Sequence, residues 1–238
     1  MIRILALTTL NNSAGLKQAC DELRARYGQV CSLQKIYFKD YESPDAPFAS
    51  LHAAIREADL VLVDVRSDSR LGREIPGLLR EYTGTVVVLV GAGPEIFALT
   101  RMGRFRGSMM FKPGADREFS IDAFLKAKKF SQLTKALGRL VPFGMLKDMR
   151  IWMLAQEYYA EGGAENLKNL LCLLLKKYGR VKTIRKVPPP KAFPPYVLYH
   201  PDGRLFTDPA AYRAAMGFDP NRQTVGMLFH SGMHFDDS

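Results

Sequence analysis

Two histidines four residues apart, His230 and His234, stand in "FHSGMHFDDS" with Asp236 and Asp237 close behind. On a helix that spacing would let both imidazoles share a metal ion. Ser231 stands where the general-base glutamate of an HExxH helix would be, and Gly232 disfavours a helix. The sequence therefore predicts a polar loop here, placed after a strand where α/β folds bind ligands. His200, in "YHPDG", reads as a turn organiser, and His52 lies on a helix as a surface or interface residue. Lys176 and Lys177 belong to the most basic stretch of the chain. No acidic residue lies between Glu165 and Asp202, while Lys168, Arg180, Lys182, Arg185, Lys186 and Lys191 do. Such a field suits an anionic partner, or forms a solvated helix face with a basic linker.

Other spacings lead to less chemistry. The loops "TTLNNSAG" after the first apolar run and "GAGP" at Gly91–Pro94 are not GxxxxGK[ST] phosphate loops. Thr8, Asn11, Asn12 and Ser13 could donate to a ligand at a helix start, or only cap and turn. Asp64 ends "LVLVDV", and Lys112-Pro113 follows a later apolar segment, a layout similar to a phospho-receiver domain. Phosphotransfer there needs Mg²⁺ held by clustered carboxylates. Thr8-Thr9 stands where the acidic pair would be, so the likeness supports a strand order and not that chemistry. Trp152, Tyr158 and Tyr159 form an aromatic patch that reads as core packing or as a platform for a flat ligand. No complete catalytic constellation can be assembled, and no catalytic residue is assigned.

The elements that must position these residues follow from periodicity. Near-continuous apolar runs at Ile2–Thr8, Leu33–Phe38, Leu60–Val65 and Thr85–Val90 predict buried strands, with Ser108–Phe111 as a fifth, edge strand. Helical spacing predicts helices at Leu16–Tyr27, Phe48–Ala58, Glu74–Tyr82 and from Pro94 to about Met102. Residues 1–115 therefore read as a flavodoxin-like, doubly wound parallel α/β sheet domain. Residues 116–186 read as a helical segment with helices at Phe119–Leu140, Met145–Tyr159 and Ala164–Tyr178. Residues 187–238 begin with the linker "VPPPKAFPP", whose prolines favour an extended path. Asp208-Pro209 starts a short helix closed by Gly217, and Val225–Phe229 starts a second α/β unit. That closing strand is expected to need cover from further polypeptide.

The totals set bounds. Of 238 residues, 34 are Lys or Arg and 24 Asp or Glu, a net charge of +10. The composition is that of a globular chain able to bury a core. Cys20, Cys31 and Cys172 are widely spaced, with no zinc or disulfide pattern, so a reducing, cytoplasmic compartment is expected. The apolar stretch Leu167–Leu175 is too short to cross a bilayer, which takes about 20 residues.

Three stretches in fixed order carry a family likeness. "YYAEGGAENLKNLLCLLLKKYG" (Tyr158–Gly179) resembles the GG-x-ENL-x-NLL signature of the large subunits of cobaltochelatase and magnesium chelatase, the CobN and ChlH/BchH type. "PPPKAFPPYVLYHPDGRLFTDPAAY" (Pro188–Tyr212) is similar to that family's YHPD segment, and "TVGMLFHSGMHFDDS" to the opening of its next α/β domain. The resemblance implies the N-terminal portion of a tetrapyrrole-binding subunit. It implies a divalent metal as substrate, cobalt favoured over magnesium, and ATP hydrolysed by AAA+ partner subunits, with no cofactor in this segment. His230, His234 and Asp236 become candidates for substrate contact, and Lys176 and Lys177 for the carboxylate arms of the macrocycle. Neither a nucleic-acid partner nor an integral membrane segment is implied. The alternative is a stand-alone flavodoxin-like binding or regulatory module. A nucleic-acid binder ranks last, since no recognition motif accompanies the charge.

Overall fold

The computed structural model describes residues 1–8, 13–43, 48–66, 69–111, 144–192, 197–200, 204–217 and 219. The expected helix at Phe119–Leu140, the strand at Val225–Phe229 and the loop with His230, His234 and Asp236 lie outside the described residues.

Four parallel strands form the centre of a six-stranded sheet: β1 (Ile2–Thr8), β2 (Cys31–Tyr37), β3 (Leu60–Asp64) and β4 (Thr85–Val90). The order is β2-β1-β3-β4, followed by the short β5 (Arg101–Met102) and β6 (Phe105–Arg106). This is the doubly wound, flavodoxin-like order. The far edge differs from expectation. Residues 107–109 form a 3-10 turn, not a parallel strand, and β5 and β6 are an antiparallel hairpin. Gly103, with φ +57°, supplies the left-handed turn between them. The helix from Pro94 is one turn long, Pro94–Phe97, which leaves Arg101 free to return beside Val86.

Alternation of side chains along the strands builds two cores. Leu5, Leu7, Val61, Val63, Val86 and Val88 face α2 (Ala49–Glu57), α3 (Arg70–Leu78) and α4 (Pro94–Phe97). Ile4, Ala6, Leu60, Leu62, Val87 and Leu89 face α1 (Ser13–Tyr27), α5 (Met145–Glu161) and α6 (Gly163–Lys177). The helices expected after residue 144 thus share one core with the sheet.

Helix α5 covers the place where the sheet runs short. β5 pairs with β4 only at Val86. One step further along, the Val88 carbonyl accepts from Trp152 Nε1 at 3.1 Å and from Gln156 Nε2. Side chains of α5 so complete a strand edge whose carbonyl would otherwise be buried unpaired. Trp152 is fully buried between Phe97, Phe105 and Phe111. Helix α6 is buried on all sides from Leu170 to Leu175. Lys168 Nζ, 2.9 Å from Glu22 Oε2, ties it to α1.

A separate small unit holds the hairpin β7 (Leu198–Tyr199) and β8 (Leu205–Phe206) with α7 (Pro209–Met216). None of the α7 residues is buried. No helix among the described residues is long and apolar enough to cross a membrane.

Candidate functional site at the carboxyl edge of the sheet

The parallel register brings four strand ends into line. Tyr37 pairs with Thr8, Leu7 with Val63, and Asp64 with Val90, so Tyr37, Thr8, Asp64 and Val90 lie side by side across the sheet. Lys35 and Tyr37 share the parity of Cys31, Thr8 that of Ala6, and Asp64 that of Leu62, so these polar side chains rise on the α1–α5 face. The place beside β1 is where the strand order reverses, the crevice in which open α/β sheets bind ligands.

At its centre is a buried carboxylate. Asp64 is 2% exposed. Arg66 Nε donates to Oδ1 at 3.1 Å, and the Tyr159 hydroxyl donates to Oδ2 at 2.6 Å. Burial pulls the Arg66 pKa down, but the Asp64 charge and Tyr159 more than offset it and hold it above its usual value. Asp64 is buried while the Arg66 side chain is 37% exposed, so it is the carboxylate whose desolvation these hydrogen bonds offset. Both carboxylate oxygens are engaged, so Asp64 is a lock between β3 and the end of α5. This agrees with a receiver-like layout that lacks the acidic pair needed for a metal. Tyr159, Tyr158 and Trp152 are all within 3% exposure, which decides for core packing over a flat-ligand platform.

The neighbouring motif is structural too. Helices α5 and α6 are joined through Gly162 (φ +65°) and Gly163 (φ +75°), a double left-handed turn that side chains with a Cβ rarely adopt. Asn166 then clamps the proline-rich stretch. Its Nδ2 donates to the Lys191 carbonyl at 2.9 Å, and its Oδ1 accepts from the Lys191 amide at 2.9 Å. The Tyr158 hydroxyl donates to the Pro188 carbonyl. The "YYAEGGAENL" stretch therefore contains a lock, a turn and a clip within ten residues, which sequence spacing alone did not resolve.

Lys176 and Lys177 sit at the opposite end of the sheet. The last turn of α6 leads to Gly179, which packs beside Ile2 at the start of β1. Lys176 Nζ donates to the Arg185 carbonyl. Lys177 is exposed, and desolvation together with Lys147 and Lys176 lowers its pKa. These two lysines are not brought to the carboxyl edge. His52 is exposed on α2, and the His200 ring lies 6.1 Å from that of Tyr212. Among the described residues no group of three or more His, Cys, Asp or Glu is arranged to hold a metal ion. The three cysteines do gather: Cys20 Sγ is 3.4 Å from Cys31 Sγ, and all three are buried in the α1–α6 core.

Comparison with known proteins adds to this geometry. Residues 156–238 match the CobN/Magnesium Chelatase family model, which begins at Gln156 in α5 and so takes in Tyr159, the glycine turn and the Asn166 clip. The chain is 29% identical over 186 residues to the H-subunit of magnesium chelatase from Rhodobacter capsulatus, covering 71% of this chain. It is 28% identical over 206 residues to the corresponding protein of Cereibacter sphaeroides, covering 79%. The chain spans 15% and 16% of the lengths of those relatives. The catalytic subunit of cobaltochelatase from Mycobacterium tuberculosis aligns over 84% of this chain and 12% of its own, at 16% identity and a TM-score of 0.41.

Proposed function

We propose that this chain belongs with the large chelatase subunits of the CobN/magnesium chelatase family and serves the tetrapyrrole-binding side of ATP-dependent metal insertion. The observation that carries the proposal is the family match over 156–238, joined to relatives whose similarity covers 71% and 79% of the chain and so reaches into the α/β domain. In this reading the macrocycle and a divalent metal ion are substrates, and AAA+ partner subunits hydrolyse ATP. Insertion requires a bent ring, loss of the pyrrole N–H protons and partial dehydration of the ion.

The part assigned to the described residues is positional. The Asp64–Tyr159 lock and the Asn166 clip fix where the proline-rich stretch leaves the α/β body, and so where the segment after it is presented. His230, His234 and Asp236 remain the proposed substrate contacts. The basic face with Lys176 and Lys177 suits carboxylate arms or an acidic partner surface. The names of the curated relatives point to magnesium, whereas the low aromatic content and compact N-terminus lean to cobalt, so the metal is tested directly.

The chain is titrated with a dicarboxylate porphyrin and with a corrin, following the absorbance of the macrocycle. Saturable binding of one of them, weakened by His230→Ala with His234→Ala, is the expected result. Addition of AAA+ chelatase subunits and ATP with Mg²⁺ or Co²⁺ then asks which ion the complex inserts. Absence of binding to either ring, and no effect of the chain on an assembled chelatase, would sink the proposal.

A further inference from the structure

The edge strand β2 ends in a group of cations that the chelatase reading does not use. Lys35 and Tyr37, two apart, rise from one face of the sheet toward α1. Lys35 Nζ donates to the Ser13 carbonyl at 3.4 Å, and the Tyr37 hydroxyl donates to Ser13 Oγ at 3.4 Å. Lys39, in the 3-10 turn after β2, brings its Nζ to 5.8 Å from the centre of the Tyr37 ring, and Lys35 Nζ is at 5.5 Å from it.

Two ammonium groups thus converge on one phenol, and among the described residues neither meets a carboxylate. Lysines elsewhere in the chain do: Lys17 with Asp21, Lys168 with Glu22, Lys191 with Glu165. With the two Nζ atoms 5.5 and 5.8 Å from the ring centre, an oxyanion beside the Tyr37 hydroxyl would meet the positive field of both lysines. We infer that Lys35, Tyr37 and Lys39 form a binding site for a small oxyanion, the phosphate or carboxylate group of a ligand seated at the carboxyl edge of the sheet. The location agrees, since Tyr37 is level with Thr8 and Asp64 at the strand reversal. The phenol itself reports a positive field: the contact with Lys35, then that with Ser13, holds the Tyr37 pKa below its usual value.

The site does not depend on the chelatase reading, and its test contains neither metal nor tetrapyrrole. The chain is titrated at constant ionic strength with inorganic phosphate and, separately, with propionate. Binding is followed by calorimetry and by the phenolate absorbance of Tyr37, taken as the difference from Tyr37→Phe. A bound anion cancels the lysine field, so saturable binding should move the Tyr37 titration to higher pH. Lys39→Gln, at an exposed position that leaves the core untouched, should weaken binding by about tenfold, and Lys35→Gln by a similar factor. Saturation with phosphate alone assigns a phosphorylated ligand, and saturation with propionate alone a carboxylate. No saturable response to either anion, or equal binding by the Lys35→Gln/Lys39→Gln variant, overturns the inference.

Discussion

The matched stretch 156–238 contains two described regions built on opposite plans. In Tyr158–Lys191 nearly every element is fixed from outside itself. Tyr159 reaches β3, Asn166 holds Lys191, and six consecutive residues of α6 are buried. In residues 198–217 the contacts are local. Asp208 caps α7 by accepting from the amides of Ala210 (3.0 Å) and Ala211 (3.2 Å), Gly217 ends it at φ +62°, and Phe206 meets Tyr212 edge to face at 5.3 Å. An eight-residue helix with no buried face has little stability of its own. One family likeness can therefore rest on tertiary packing in one place and on local stop and start signals in another.

The sharpest way to break the comparison is to loosen the part of α5 that leads into the first region. Trp152→Ala leaves a cavity among Phe97, Phe105 and Phe111 and removes a donor from the Val88 carbonyl. The expected loss is about 3–5 kcal/mol, read from the denaturant midpoint. Trp152→Phe loses the same donor but keeps a ring among those three phenylalanines, so it should cost clearly less. Equal losses would mean that the hydrogen bond, not the aromatic packing, holds α5 on the sheet.

A smaller break separates turn from clip. Gly162→Ala forces a Cβ into φ +65°, ψ −162°, a region reserved for glycine, at a cost of about 1–3 kcal/mol. Gly217→Ala sits at φ +62°, ψ +48°, the left-handed well that other residues visit, and should cost less. Asn166→Ala leaves the Lys191 amide and carbonyl without their partner. It should speed proteolysis in the proline-rich stretch with a global loss of about 1–3 kcal/mol. Unchanged cleavage there would remove the clip from the argument.

Alkaline pH acts on the same region. Burial raises the pKa of Tyr158, which donates to Pro188, to about 12, and does the same for Tyr82. An unfolded tyrosine loses its proton near pH 10. Above that pH the unfolded chain binds fewer protons than the native one, so stability falls as pH rises from about 10 to about 12. Denaturant midpoints across that window should decline, and Tyr158→Phe should flatten part of the decline.

How much of this was legible in the sequence depends on how local the cause is. Strands such as "LVLVDV" and "TVVVLV" declare themselves, because both faces of a central strand are buried. Asp208-Pro209 and Gly217 mark α7 for the same local reason. The far edge misleads: "SMMF" is apolar, but a turn at Gly103 has already closed the sheet with a hairpin. Asp64 and Tyr159 each stand out alone, yet their pairing over 95 positions follows from α5 lying on the sheet, which no spacing encodes. The Lys35–Tyr37–Lys39 cluster escapes a reading by motifs, although alternate residues on a strand share a face. An edge strand's polar parity is the signal that could have revealed it.

The smallest effect is expected in the second region, and there the sign of the comparison is most exposed. Asp208→Ala removes the side-chain acceptor for two amides at the start of α7. A cap of this kind is worth about 1 kcal/mol to its helix. Since no residue of α7 is buried, that loss should stay within residues 198–217. Amide exchange should rise at Ala210 and Ala211 while the main denaturant midpoint stays where it was. If the midpoint falls along with that of Asn166→Ala, the two regions unfold as one unit. The small hairpin-and-helix unit would then lean on the α/β body through contacts that the local caps conceal.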